Sequence, residues 1–408
     1  MLRMGNITKD GGLDYSNLVF TSDKNEIETY RLSPGAVIFN RTNSREWVGK
    51  TAYYDGSVPA IYAGYLIAFY PIQLLGEYVN YAMCSPYERD WCKRVKSDGI
   101  NQSNINSQKL KSFLLPVPPL EEQKRIVSLL NETMPYVDQY SALEDARERL
   151  DAELPDRLRK SILQMAVQGK LVSQDPADEP ASALLERIRA ERAKLIKEKK
   201  LKAPKGGESV IYRASDGGYY EKRGRGEAQP IEVPFDIPES WEWARLSSLG
   251  DIVGGGTPKT HDNSLWADAS DGIPWITPAD MKNVKGKYVS HGDRYLSTQG
   301  LSNSSAQLMP SGTVVMSSRA PIGYLGIASC AIATNQGFKS IIPIVIETNE
   351  WILLALDALM GDIKRRASGT TFKEISGSEF GETLIPIPPL SEQMRIIACS
   401  ESALDAVR

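Results

Sequence analysis

Long apolar runs and an excess of basic charge are both missing from this 408-residue sequence, and histidine and cysteine are scarce. No stretch approaches the roughly 20 consecutive apolar residues that a membrane helix needs, and Met1 to Asp10 show no basic-then-apolar pattern. The expectation is therefore a cytoplasmic protein without a membrane partner. The only histidines are His261 and His291. Histidine is the commonest general base and metal ligand, so their scarcity argues against triad hydrolases and zinc enzymes. Cys84, Cys92, Cys330 and Cys399 lack metal-ligand spacing and read as buried thiols in a reducing compartment. The formal net charge of −3 counts mildly against nucleic acid. That argument is weak, because DNA binding needs a local basic surface rather than a basic chain. With 41% apolar and 24% charged residues the chain has ordinary globular composition, and its length suits two or three domains.

What is present is a duplication. Residues 115–127, LPVPPLEEQKRIV, return as residues 385–397, IPIPPLSEQMRII, with eight of 13 positions identical at an offset of 270. Upstream, the Leu32 to Phe39 run echoes Leu308 to Met316, Ser97–Gly99 echoes Ala367–Gly369, and Leu2–Ile7 falls where Ile276–Met281 falls. Between these anchors the copies diverge. Asn40 to Arg45 faces Ser317 to Pro321, and Ile100 to Asn104 faces Thr370 to Glu374. A shared frame with different loop chemistry suits two modules with related but unequal targets. Drift of surface loops is the plain alternative.

Each copy reads as mixed α/β. Short β-rich runs at Ala36–Phe39, Tyr65–Phe69 and Thr313–Met316 are bounded by glycine and proline. One helix per copy is expected, over roughly 73–96 and 349–367. Both end in basic triplets, Lys93, Arg94 and Lys96, and Lys364, Arg365 and Arg366. Cations there complement a helix C-terminus, and they also suit a phosphate clamp; both readings stay open. After each Pro-Pro-Leu the pattern turns helical. From Leu120 the apolar residues Ile126, Leu129, Leu130, Met134, Val137, Leu143, Leu150, Leu154 and Leu158 predict an amphipathic helix, about 75 Å long at 1.5 Å per residue, with kinks expected at Pro135 and Pro155. A second charged helix is expected at about 180–200. The Gly-, Lys- and Glu-rich stretch that follows reads as a linker. The expected organisation is a first module at 1–119, a helical region at 120–200, a linker at 201–234, a second module at 235–389 and the start of another helical region at 390–408.

Catalytic motifs fail. The run ending Gly49-Lys50-Thr51 has Ser44 where a phosphate-binding loop needs glycine, and Gly254-Gly255-Gly256 lacks dinucleotide spacing. No Asn-Pro-Pro-aromatic tetrapeptide and no convincing nuclease carboxylate cluster occur.

The twin P-[VI]-P-P-L-x-E-Q-x-R-I segments, the run Gln164 to Val172, Ile237 to Leu246 followed by Gly254 to Pro258, and Thr334 to Phe338 together resemble the specificity (S) subunits of Type I restriction–modification systems. The resemblance spans nearly the whole chain. It implies two target-recognition domains separated by long antiparallel, coiled-coil-like helices, each domain reading half of an interrupted site on double-stranded DNA. The helices would act as spacer and dock methyltransferase subunits, which recruit the restriction and translocase subunits. The chain itself is then expected to be non-catalytic and cofactor-free, with S-adenosylmethionine, ATP and Mg belonging to the partners. Relative to the family pattern the first copy lacks about 35 residues that stand between Trp241 and Ile276 in the second, and the last helix is short. This suggests a sequence cut at both ends, or a silent or recombination cassette. A non-DNA scaffold with two modules, and a stand-alone methyltransferase or nuclease, are the alternatives.

Base reading pairs Arg with guanine and Asn or Gln with adenine, while phosphate contacts supply affinity and register. The loop candidates are Arg41, Asn43, Arg45, Asn101, Gln102 and Asn104 in the first copy. In the second they are Lys259, Arg319, Asn335, Gln336, Lys339 and Lys373. The two basic triplets complete the set.

Overall fold

The computed structural model describes residues 1–204, 206–319, 321–369 and 373–407; Thr370, Thr371 and Phe372 of the divergent loop lie outside them. Contacts divide the chain into Met1–Arg149 and Leu150–Arg408.

In the first unit, β1 (Ala36–Asn40) is the centre of an antiparallel sheet, flanked by β2 (Thr51–Tyr54) and β3 (Leu66–Phe69). Successive strand side chains point to opposite faces, and here both faces are covered. Val37 and Phe39 pack with Tyr78, Val79, Met83 and Trp91. Ala36 and Ile38 pack with Leu2, Ile7, Ala52 and Leu66. Burial of each large side chain contributes about 1.5–3 kcal/mol. The single helix expected over 73–96 is two, α1 (Gly76–Met83) and α2 (Pro86–Val95). Pro86 has no N–H to continue the ladder, and the Ser85 hydroxyl caps the new start by accepting from the Glu88 amide at 3.4 Å.

The predicted long helix, α3, is Leu120–Val167 and remains helical through Pro135 and Pro155. Its Leu129, Tyr136, Val137, Tyr140, Leu143, Leu150 and Leu154 are exposed. The charged helix α4 is Ala181–Lys197. The supposed linker is instead a three-stranded antiparallel sheet of β4 (Ser209–Arg213), β5 (Tyr219–Arg223) and β6 (Gln229–Ile231). Its glycines occupy the turns, Gly217 at φ +84, while Ile211 and Glu221 are buried.

In the second unit β7 (Glu242–Arg245) pairs with β13 (Leu384–Ile387). A five-stranded sheet contains β8 (Gly250–Gly254), β10 (Val314–Ser317), β11 (Leu325–Ala328) and β12 (Phe338–Pro343), with Tyr288–Val289 at one edge. β9 (Ile273–Ile276) lies in a second sheet. The helix expected over 349–367 is again two, α5 (Asn349–Ala358) and α6 (Met360–Arg366). They are followed by α7 (Gly377–Gly381) and α8 (Leu390–Asp405). Glu392 at the start of α8 meets Gln174 beyond the end of α3, and Leu404 near its finish shares a groove with Arg159 and Leu163, so α8 runs antiparallel to α3.

The duplication recurs bond for bond. Gln123 donates to the Pro118 carbonyl at 2.9 Å and Gln393 to the Pro388 carbonyl at 3.0 Å. The Ile105 amide donates to Arg41 at 2.9 Å and the Ile375 amide to Ser318 at 3.1 Å. The Tyr78 hydroxyl and the Trp351 indole reach the carbonyls of Pro116 and Pro386, each at 2.8 Å. The parallel bridge Leu2–Tyr62 matches the parallel pair Ile276–Thr334. Strand order matches as well, with β2, β1 and β3 corresponding to β11, β10 and β12. Of the four cysteines only Cys92 is fully buried, and all four are free thiols.

Candidate nucleic-acid interface

In the first module the loop candidates converge where β1 ends. Thr42–Asn43 pairs with Ser103–Asn104, which pairs in turn with Ser97–Asp98. This small sheet places Arg41, Asn43, Arg45, Asn101, Gln102, Asn104 and Lys96 on one tip. The Asn104 amide donates to the Thr42 hydroxyl at 2.8 Å, and Lys96 donates to the Arg45 carbonyl at 3.0 Å while pairing with Asp98 at 3.3 Å. Lys93 is paired with Asp90 at 3.0 Å in solvent. Residues not anticipated from the loop pattern stand nearby. Lys9 lies 4.5 Å over the Trp47 ring, and Lys50 lies 5.9 Å from it. Lys50 also donates to the Ile7 carbonyl, and its burial, with Arg89 and Lys9 nearby, lowers its pKa.

In the second module the equivalent end of the sheet gathers three loops. Gly254 pairs with Lys339, Lys339 with Met316, and Ser317 with Phe338, so residues 255–259, 318–319 and 335–337 leave the sheet together. Gly255 lies against the Asn335 carbonyl so closely that a Cβ would stand 1.9 Å from it, which makes glycine obligatory. Trp275 donates to the Gly256 carbonyl at 2.9 Å, and Thr257 bonds to Gln336. Glu374 holds Lys339 at 3.2 Å and Arg319 at 3.6 Å. It occupies the position of Asn104 in the first copy, since each precedes the matched isoleucine. The offset of 270 was the available signal for Glu374. Lys373 and Lys259 are exposed. In the second triplet, Arg365 and Arg366 pair with Asp362 at 2.6 and 2.8 Å; Arg366 also reaches the Thr383 hydroxyl at 2.7 Å. Arg366 thus ties α6 to the segment before β13, whereas Lys364 makes no ion pair among the described residues. The two tips present different polar groups on one frame: amides and Arg in the first, Lys, Arg and amides around a carboxylate in the second.

The family described as Type I restriction modification DNA specificity domain matches residues 3–135 and 238–399. The chain belongs to this family. It is 36% identical over 162 residues to the Type I restriction enzyme MjaIX specificity subunit of Methanocaldococcus jannaschii, a match covering 39% of this chain and 37% of that protein. It is 27% identical over 338 residues to the EcoAI specificity subunit of Escherichia coli, covering 70% of this chain and 52% of that protein. The chain thus spans about half or less of these two relatives. A crystal structure of the HsdS subunit from Thermoanaerobacter tengcongensis shares the fold at a TM-score of 0.52 and 18% identity, over 99% of this chain and 82% of that one. No helix among the described residues is long and apolar enough to cross a membrane.

Proposed function

We propose that the chain reads a bipartite sequence on double-stranded DNA, one half per module, and docks methyltransferase subunits on its helices. The observation that carries this is the repeated loop tip, where matched backbone bonds hold unlike base-reading side chains. Arg41, Asn43, Asn104, Arg319, Asn335 and Gln336 are the base-reading candidates. Lys96, Lys259, Lys339 and Lys373 are the phosphate candidates. The exposed apolar stripe of α3, from Leu129 to Leu154, is the docking face for helical partners. Restriction and translocase subunits join through the methyltransferase. S-adenosylmethionine, ATP and Mg serve those partners, and the purified chain alone neither methylates nor cuts DNA when supplied with them.

The test is co-expression with a methyltransferase subunit from the same genome, followed by mapping of methylated adenines. A two-part motif interrupted by a fixed spacer is expected. Methylation no different from that of the methyltransferase alone, together with no salt-dependent DNA binding by the complex, would refute the reading.

A further inference from the structure

Residues 199–226 hold eight Lys and Arg against three acidic residues, in a chain whose net charge is −3. They include most of the β4–β6 sheet, whose two faces differ. On the inner face Glu221 is buried and takes hydrogen bonds from Arg245 at 2.9 Å and Ser209 at 2.6 Å. Burial pushes its carboxyl up, but these bonds outweigh burial and hold it below its ordinary range. On the outer face Tyr212 stands opposite Tyr220, and Val210 opposite Lys222. The two tyrosine rings stack at 6.2 Å with planes 23° apart, and Tyr220 donates to Asp216 at 2.8 Å, which fixes its ring. Lys222 and Arg225 are exposed and have no ion-pair partner among the described residues.

This sheet is tied to the second module through Arg245 of β7 and through the residue that follows α7. Arg223 pairs with Glu382 at 2.5 Å, directly after α7. At the other end of α7, about 7.5 Å away for five residues, Gly377 borders the Lys339 side chain.

We propose that the outer face of the β4–β6 sheet, with Tyr212, Tyr220 and Lys222, together with Arg225 in the turn after β5, binds the sugar–phosphate backbone of DNA next to the half-site read by the second module. The proposal rests on the DNA-reading function above. Unpaired cations beside a fixed aromatic pair suit phosphate and sugar, and they carry no sequence information. Val210 and Pro230 are the aliphatic members of this face's strands. The sheet adds affinity and leaves the recognised sequence unchanged.

The experiment compares the wild-type complex of this chain and its methyltransferase with two double variants, Lys222→Gln/Arg225→Gln and Tyr212→Ala/Tyr220→Ala. Binding to a duplex carrying the mapped site is followed over a series of salt concentrations. Each lost phosphate contact lowers the slope of log K against log salt by about 0.9, so the charge variant should lose about two from the slope while the methylated motif stays the same. The tyrosine variant should bind more weakly at every salt concentration with little change of slope. If wild type binds with strong salt dependence and both variants match it in slope and affinity, the sheet makes no backbone contact and the proposal fails. It also fails if the charge variant separates from the methyltransferase, because the face is then a docking site for an acidic protein surface. A wild-type complex without salt-dependent binding would overturn the DNA-reading function itself.

Discussion

The two modules share a frame and differ in how that frame is closed. In the second, β12 lies between β8 and β10, and its burial is nearly continuous. Its counterpart β3 is an edge strand among the described residues of the first module, with three of four positions only half-buried. The helix after each Pro-Pro-Leu shows the same contrast. Glu392 on α8 is covered, accepting from Trp241 at 3.0 Å and from Gln174 at 2.5 Å, and burial raises its pKa. Its equivalent Glu122 on α3 is exposed. A repeated sequence thus fixes the internal bonds of a module but not its cover, which comes from segments such as Trp241 and β8. An edge strand leaves unpaired backbone groups, so the first module should open first under heat or denaturant.

The largest effect expected is in the covered module. Trp351 is fully buried and its indole anchors Pro386, so Trp351→Ala should cost about 3–5 kcal/mol. Tyr78→Ala at the matching bond should cost less, because Tyr78 lies at the rim of a smaller core. Thermal unfolding of both variants checks this, and equal losses would break the contrast.

Next comes a pH response in the first module. Glu88 is fully buried, accepts from the Cys92 thiol at 2.7 Å, and is pushed up to about 7, chiefly by burial. Its folded pKa exceeds the unfolded value, so its contribution is complete below about pH 4.5 and is lost as pH rises through about 7. The span is about 3 kcal/mol at 1.36 kcal/mol per pH unit. Glu88→Gln should flatten that dependence, as followed by hydrogen exchange in β1 and α2. An unchanged pH profile would show that Glu88 finds a counter-charge.

Smaller still is the difference between the paired glutamates. Glu392→Ala leaves the Trp241 indole without its partner and should cost about 1–3 kcal/mol, whereas Glu122→Ala should stay within about 0.5 kcal/mol. Comparable losses would mean that the cover over α8 is unimportant.

Much of this was legible in the sequence. The offset of 270 carried through to matched hydrogen bonds at Gln123 and Gln393, and the long helix ends within a turn of its predicted limits. The breaks within the 73–96 and 349–367 helices were missed because amphipathic spacing continues across them; only Ser85-Pro86 announced the first. The β4–β6 sheet was missed because its strands are short and charged and its glycines signal turns as readily as a linker. The loops that come together at the two tips are marked in the sequence by their divergence between the copies. The role of Glu374 as the carboxylate holding Arg319 and Lys339 is not, since ion pairing across loops leaves no periodic trace.

The central claim is that the modules read independently on one frame. Residues 244–384 of this chain should be replaced by the aligned segment of a relative, and the complex with its methyltransferase used to map methylated adenines. One half of the two-part motif should change, with the other half and the spacer length kept. A change in both halves, or in the spacer alone, would contradict the account.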